Sequence, residues 1–478
     1  MLFNSLEFYI FFPVVTILYF LLPYRFRWFH LLVASCVFYA AFIPIYLLIL
    51  FFTIVVDYIA GIVIENAGGP KRKLFLVISI LSNVGILAFF KYYNFIASNL
   101  NEVFHDIPLL KIILPIGLSF HTFQAMSYTI EVYRGHQKAE RHFGIYALYV
   151  MFYPQLVAGP IERPQNMLFQ FYEKYDFDYD RVTSGLKLML WGLFKKVVIA
   201  DRLGILVDSV YDKPHAYNSF SLILATFFFA FQIFCDFSGY SDIAIGAARV
   251  MGFKLMTNFN RPYQATSVSE FWKRWHISLS TWFRDYLYIS LGGNRVSIPR
   301  WYFNLFIVFL VSGLWHGANW TFVVWGALHG FYLIFALMTQ KWRHRVAARI
   351  GWLNGKWVNR AATFVLVDFA WIFFRANNIH DALYISGHIF SGLPHVLSMA
   401  LHRQSVFEFY GLKVWELVLS GGLILLLETI HRFQTRLDLA QLFKQSPVYG
   451  RFAVYVIGVL SLVFLSPVTN KAFIYFQF

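Results

Sequence analysis

The residue best suited to chemistry in this sequence is a histidine inside an apolar run. His316 lies in Leu310-Val311-Ser312-Gly313-Leu314-Trp315-His316-Gly317-Ala318-Asn319-Trp320, within an apolar stretch from Trp301 to Met338. About 20 apolar residues span a bilayer. A strongly polar group at that depth costs about 2.5–3.5 kcal/mol on insertion scales, so it faces protein or a wet cavity rather than lipid. An imidazole can take a proton from a hydroxyl near neutral pH, which is what acyl transfer to an alcohol needs. The commoner fate of a buried histidine is a bond to a neighbouring carbonyl. The small residues around His316 let other groups approach and favour the functional reading. Gly313 and Gly317 are also spaced for close helix packing.

A second histidine, His276, falls in Ser269–Leu291, where the periodicity predicts one helix. Phe271, Trp275, Trp282 and Tyr286 would form an aromatic face, and Lys273, His276, Ser280 and Arg284 a polar stripe. Ser269 followed by Trp272 lacks the acid of a capping box. The pattern alone favours an amphipathic helix lying on the membrane. The alternative places the stripe at a cavity entrance, with His276 in the reaction site. His329 reads as a packing or interfacial histidine. Asp236 and Asp242, in the run Phe220–Ala248, either sit at a helix end or line something wet. Glu162 and Arg163, in Ala158–Pro164, belong to a surface loop or to the lip of an internal cavity.

Other chemistries find no motif. There is no P-loop, dinucleotide glycine fingerprint or HExxH, and no G-x-S-x-G elbow. No metal is expected, since carboxylates and cysteines show no ligand spacing. Cys36 and Cys235 read as packing residues.

These residues must be positioned by membrane helices. The 478-residue chain is 59% hydrophobic and 14% charged, against about 25% charged in soluble proteins. One polytopic domain over 1–478 is expected. The net charge of +15 sits in short loops, where it orients the chain and meets anionic lipid; nucleic acid is not the expected partner. The first run lacks a basic n-region and a cleavage site, so it reads as the first membrane helix. Spans are expected over Leu6–Leu22, then on either side of Pro44 within Leu31–Ile64, then over Leu74–Phe90 and Ile112–Val132. Basic loops follow at Arg25–Arg27, Lys71–Lys73 and Arg134–Arg141 and are placed in the cytoplasm, with an external loop over Asn94–Pro108. Leu186–Tyr211 carries Lys195-Lys196 and Asp201-Arg202 and is expected along the interface. Gly252–Arg300 is expected to be cytoplasmic or re-entrant. Trp301–Met338 reads as a helical hairpin or broken helix, Asn377–Tyr410 as an external segment, and Ala361–Phe374, Val414–Leu427 and Phe452–Leu465 as the last spans. The total is about eleven or twelve, with no internal repeat of the kind many transporters show.

Four motifs, in order and spacing, resemble the membrane-bound O-acyltransferase family. They are Gln232-Ile233-Phe234-Cys235-Asp236-Phe237-Ser238-Gly239-Tyr240-Ser241-Asp242, Asn260-Arg261-Pro262-Tyr263, Glu270-Phe271-Trp272-Lys273-Arg274-Trp275-His276-Ile277-Ser278-Leu279-Ser280 and Leu314-Trp315-His316-Gly317. The likeness is greatest over about Leu114–Gly330. The ending Phe473–Phe478 is also similar to bacterial members, and the nearest branch is the membrane subunit of alginate-type O-acetylation. The resemblance implies an all-α fold of about eleven transmembrane helices, with short tilted helices around a central funnel or tunnel. It divides the chain into peripheral helices over 1–111, a catalytic core over 112–340 and C-terminal helices over 341–478. It implies His316 as the catalytic histidine and His276 as a second active-site histidine, with Trp315, Asn319, Trp275, Arg284, Asp236 and Tyr240 as candidate substrate-binding residues. No bound cofactor is implied; acetyl-CoA is the expected cosubstrate. A polysaccharide acceptor, an extracytoplasmic SGNH-type acetyltransferase partner and a bacterial inner membrane are further expectations. The reading from a different class is a transporter or channel with His316 as proton relay or gate.

Overall fold

The computed structural model describes residues 1–157, 159–351, 355–402, 414–467 and 473–474. Ala158, part of Asn377–Tyr410 and most of the ending Phe473–Phe478 therefore lie outside the described residues. Among the described residues every regular element is helical. The longer helices used below are α1 (Leu6–Leu21), α2 (Tyr24–Ala40), α3 (Tyr46–Asn66), α4 (Gly69–Phe104), α5 (Leu118–Arg134), α6 (Phe143–Met151), α7 (Ser219–Met251), α8 (Ile298–His316), α9 (Trp320–Met338), α10 (Lys356–Arg375), α11 (Val414–Gln434) and α12 (Val448–Phe464). Seven of them, α3, α4 and α7 to α11, are long and apolar enough to cross a membrane, and α1 and α12 are shorter apolar helices. The chain is an all-α polytopic membrane protein. α5, at 17 residues, is shorter than these seven and also carries Thr122, Gln124, Ser127 and Thr129, all buried.

The residues pack into two compact units. One comprises 1–191, 240–258 and 281–287; the other comprises 192–239, 259–280 and 288–478. Each unit is assembled from segments far apart in sequence.

In the first unit, α3, α4 and α5 are pinned by polar side chains. Asp57 is fully buried and accepts from Ser79 Oγ at 2.6 Å and Asn83 Nδ2 at 2.8 Å. Buried polar groups need such partners in a region without water. The break expected at Pro44 is present between α2 and α3. The external loop expected from Asn94 is instead helix as far as Phe104. Asn94 and Asn101 hold the returning segment through paired bonds to Leu110 and Ile107. Hydropathy marks where an apolar run ends, whereas the helix continues while its polar side chains find partners.

Two more expectations are corrected. Lys195 and Lys196 of Leu186–Tyr211 do not meet headgroups as expected: they are 4% and 1% exposed, inside a π-helical stretch Phe194–Ala200. Nor is Ser269–Leu291 one helix. It is a short helix Val268–Trp272, a break, a helix Ile277–Trp282 and a π-helical stretch Phe283–Tyr288. Its N-cap lies two residues earlier than expected, at Ser267, and Glu270 reaches back to Thr266 rather than to the cap amide of a capping box. Ser267 Oγ accepts from the Glu270 amide at 3.1 Å, and Glu270 Oε2 accepts from the Thr266 amide and hydroxyl at 2.7 Å each.

Candidate active site

The expected hairpin is present in the second unit as α8 and α9, joined at Gly317–Asn319. Gly313 faces Gly326, and a methyl group on either would collide with backbone of the opposite helix. Gly317 leaves the helix in an extended conformation, φ −160° and ψ 148°, and a Cβ there would strike the Phe322 ring. Asn319 caps α9, its side chain accepting from the Thr321 amide at 3.0 Å. The turn places His316 at the C-terminal end of α8, 3% exposed.

An aromatic box encloses that imidazole. The Trp315, Trp325 and Phe374 rings lie 4.9, 4.9 and 5.3 Å from it, all near edge-on. Trp325 stacks on Trp371 at 5.8 Å, and Trp371 lies 5.0 Å from Trp275. Trp275 therefore belongs to the same aromatic set. These rings exclude water and lower the local dielectric, which strengthens any charge interaction made inside.

His276 enters the set from the other motif. The break before Ile277–Trp282 falls on it, with φ 42°. A left-handed backbone at a residue other than glycine costs about 1–3 kcal/mol and concentrates at functional sites. The segment before it is braced: Glu270 binds Arg274 at 2.7 Å, and the Arg274 carbonyl accepts from the Asn260 amide at 2.9 Å. Burial disfavours an ionised Glu270, but bonds from Thr266 and Arg274 outweigh it and hold the carboxyl below its usual range. The His276 ring is fully buried, edge-on to Phe237 at 4.6 Å and 6.3 Å from Trp315. Burial pushes its imidazole down to about 3, so it is neutral at physiological pH. Both histidines thus border Trp315, although they are forty positions apart in sequence.

The other expected site residues divide. Trp315 and Trp275 join the histidines. Asn319 serves as the helix cap, with its Nδ2 donating to the Asn377 carbonyl at 3.3 Å. Asp236 is buried in an ion cluster, 2.5 Å from Lys196 Nζ, which also reaches Asp201 at 2.7 Å. Arg284 and Tyr240 belong to the first unit. Arg284 is exposed and paired with Asp285 at 2.7 Å, and the Tyr240 hydroxyl donates to Asn4 at 3.1 Å. The stripe Lys273-His276-Ser280-Arg284 does not exist as one face, since the helix breaks inside it. Trp282 of the expected aromatic face stacks on Phe123 at 3.8 Å within the first unit.

Residue reading from sequence missed Trp325, Trp371, Phe374 and the Lys196 cluster. The hairpin was the available signal for Trp325, since a turn at Gly317–Asn319 folds α9 back along α8. His329 is fully buried and accepts from Trp272 Nε1 at 3.2 Å, a packing role. Glu162 is neither in a surface loop nor free: it is 1% exposed and accepts from the Met256 amide at 2.5 Å. Burial pushes its carboxyl up to about 7. Among the described residues no cluster of side chains suits a metal ion.

A polytopic helical protein with an imidazole boxed in by tryptophans at a membrane-helix end fits the class of membrane acyltransferases. The comparisons agree. A family model described as MBOAT, membrane-bound O-acyltransferase family, matches residues 136–355. The chain is 41% identical to a probable alginate O-acetylase AlgI of Pseudomonas aeruginosa, over 88% of this chain and 80% of the relative. It is 36% identical to that of Pseudomonas putida over the whole of both chains. It is also 37% identical to a peptidoglycan O-acetyltransferase of Helicobacter pylori, over 74% of this chain and 72% of the relative. The chain belongs to the membrane-bound O-acyltransferase family and is a multi-pass membrane O-acyltransferase.

Proposed function

We propose that this protein moves an acetyl group from a cytoplasmic thioester, acetyl-CoA, across the bacterial inner membrane for O-acetylation of an extracytoplasmic polysaccharide. The names of the relatives support the acetyl group and the polysaccharide class. The observation that carries the chemistry is the His316 imidazole in its aromatic box, with His276 bordering the same tryptophan. His316 takes the proton of the acceptor hydroxyl, and the oxygen attacks the thioester carbonyl carbon. The carbon–sulfur bond breaks, and the departing thiolate takes the proton back from the imidazolium. His276, neutral and bordering Trp315, orients the acyl group or shares the proton movement. The basic stretch Arg249–Arg300, in which Lys254 and Arg295 are exposed, offers positive charge to coenzyme A phosphates on the cytoplasmic side. An SGNH-type acetyltransferase outside the membrane receives the acetyl group for the polysaccharide.

Loss of a general base costs about 10²–10⁴-fold in rate. His316→Ala should insert and express normally yet lose acetyl transfer and acetyl-CoA cleavage by that factor. Near-normal thioester cleavage in the variant refutes the assignment. Solute flux without cleavage in the wild type would indicate a transporter.

A further inference from the structure

The first unit holds a cavity of about 200 Å³ whose lining includes Tyr24, Arg25, Arg27, Trp28, His142 and Glu173. We propose that it is a binding site for the phosphodiester headgroup of an anionic membrane lipid.

Its charge is unbalanced. Arg25 and Arg27 bring two positive charges and Glu173 one negative, and among the described residues neither arginine is ion-paired with a carboxylate. Arg27 is 7% exposed, and its guanidinium is held by the carbonyls of Leu22, Phe20 and Tyr175 at 3.2, 3.4 and 2.6 Å. Those partners fix its position without neutralising it. Both arginines sit at the start of α2, whose cap Pro23 makes no side-chain bond and whose first turn has no acid. Cations there oppose the helix dipole, and an anion would relieve the opposition. His142 caps α6 by accepting the Ile145 amide on Nδ1 at 3.1 Å, which leaves Nε2–H as a donor on a residue lining the cavity. Its ring meets Trp28 edge-on at 4.6 Å.

A lipid is favoured over a soluble phosphate by the surroundings of the helix that lines the cavity. Phe26, Phe29, Val33 and Val37, at helical spacing along α2, are 46%, 55%, 44% and 50% exposed. They form an apolar strip on the face of α2 turned away from the buried Arg27 and Leu31, so α2 borders lipid and its start lies beside headgroups. Basic residues that only orient the chain would need no cavity with a buried arginine in its wall.

The full-length protein in detergent micelles is titrated with phosphatidylglycerol or phosphatidylcholine, and bound lipid is counted by native mass spectrometry. Phosphatidylglycerol should be retained preferentially. Arg25→Gln should weaken its retention about five-fold, and Arg25→Glu further. Lys71→Gln, in a different basic loop, should leave retention unchanged. Arg25 is exposed, so both variants should keep the wild-type unfolding temperature. Equal retention of the two lipids, or an equal loss in Lys71→Gln, overturns the site. Displacement of the lipid by millimolar inorganic phosphate overturns the lipid assignment in favour of a free-anion site.

Discussion

At the residue scale, burial decides protonation and pairing. An exposed imidazole titrates at about 6.5, but His276 in the folded protein accepts a proton only near 3. Between those values the unfolded chain binds a proton that the folded chain refuses, so stability falls as pH drops through that window. The slope from one such group reaches about 1.4 kcal/mol per pH unit. His276→Gln should therefore lose less unfolding temperature than wild type when pH is lowered from 7 to 4.5 in detergent; parallel curves would show that His276 is not held neutral. Lys196 makes the opposite case, a cation buried between Asp201 and Asp236. Lys196→Met leaves two carboxylates buried without it, and breaking a buried pair in this way costs about 3–5 kcal/mol. A loss of expression or a markedly lower unfolding temperature is expected, and an unchanged melt would contradict it.

At the element scale, the hairpin of α8 and α9 depends on glycine. Gly313 and Gly326 let the two backbones meet at a distance that no side chain permits. Gly313→Val should push the helices apart, costing about 1–3 kcal/mol or more, and should displace Trp325 from His316. Its acetyl transfer and its unfolding temperature should fall together. Retention of both would show that the close approach is not needed to build the box. The broken segment Val268–Tyr288 has the same logic. Its break at His276 turns one histidine inward, where an unbroken helix would have left it on a stripe with the exposed Lys273 and Arg284.

At the scale of the whole molecule, the distribution of charge predicts orientation. Lys254 and Arg295 are exposed on the basic stretch proposed to face the cytoplasm. Single cysteines at these positions, in a background lacking Cys36 and Cys235, should react with permeant but not impermeant reagents added to intact cells. Labelling by the impermeant reagent would reverse the topology and remove the donor from that face.

Much of this could be read in the residues alone. Apolar runs, the break at Pro44 and the overlong run Trp301–Met338 determined that the chain is a helical membrane protein with a hairpin or broken helix carrying His316, because partition into lipid depends on local composition. His316 stood out for the same reason, as an unusual residue in its run; Trp315, His276 and Trp275 were favoured as site residues only through the family resemblance of their motifs. Tertiary structure alone decided the rest. Periodicity assumes a continuous helix, so it could not foresee the left-handed turn at His276 and misplaced Arg284 and Trp282. Asp236 and Asn319 look functional by residue type, yet one is held by Lys196, forty positions away, and the other by the backbone of Thr321. Trp325 and Phe374 come from two helices and meet at His316, with Trp371 packed on both, only when the chain packs. Which polar groups satisfy one another is a property of distance in space, and composition along the chain does not carry it.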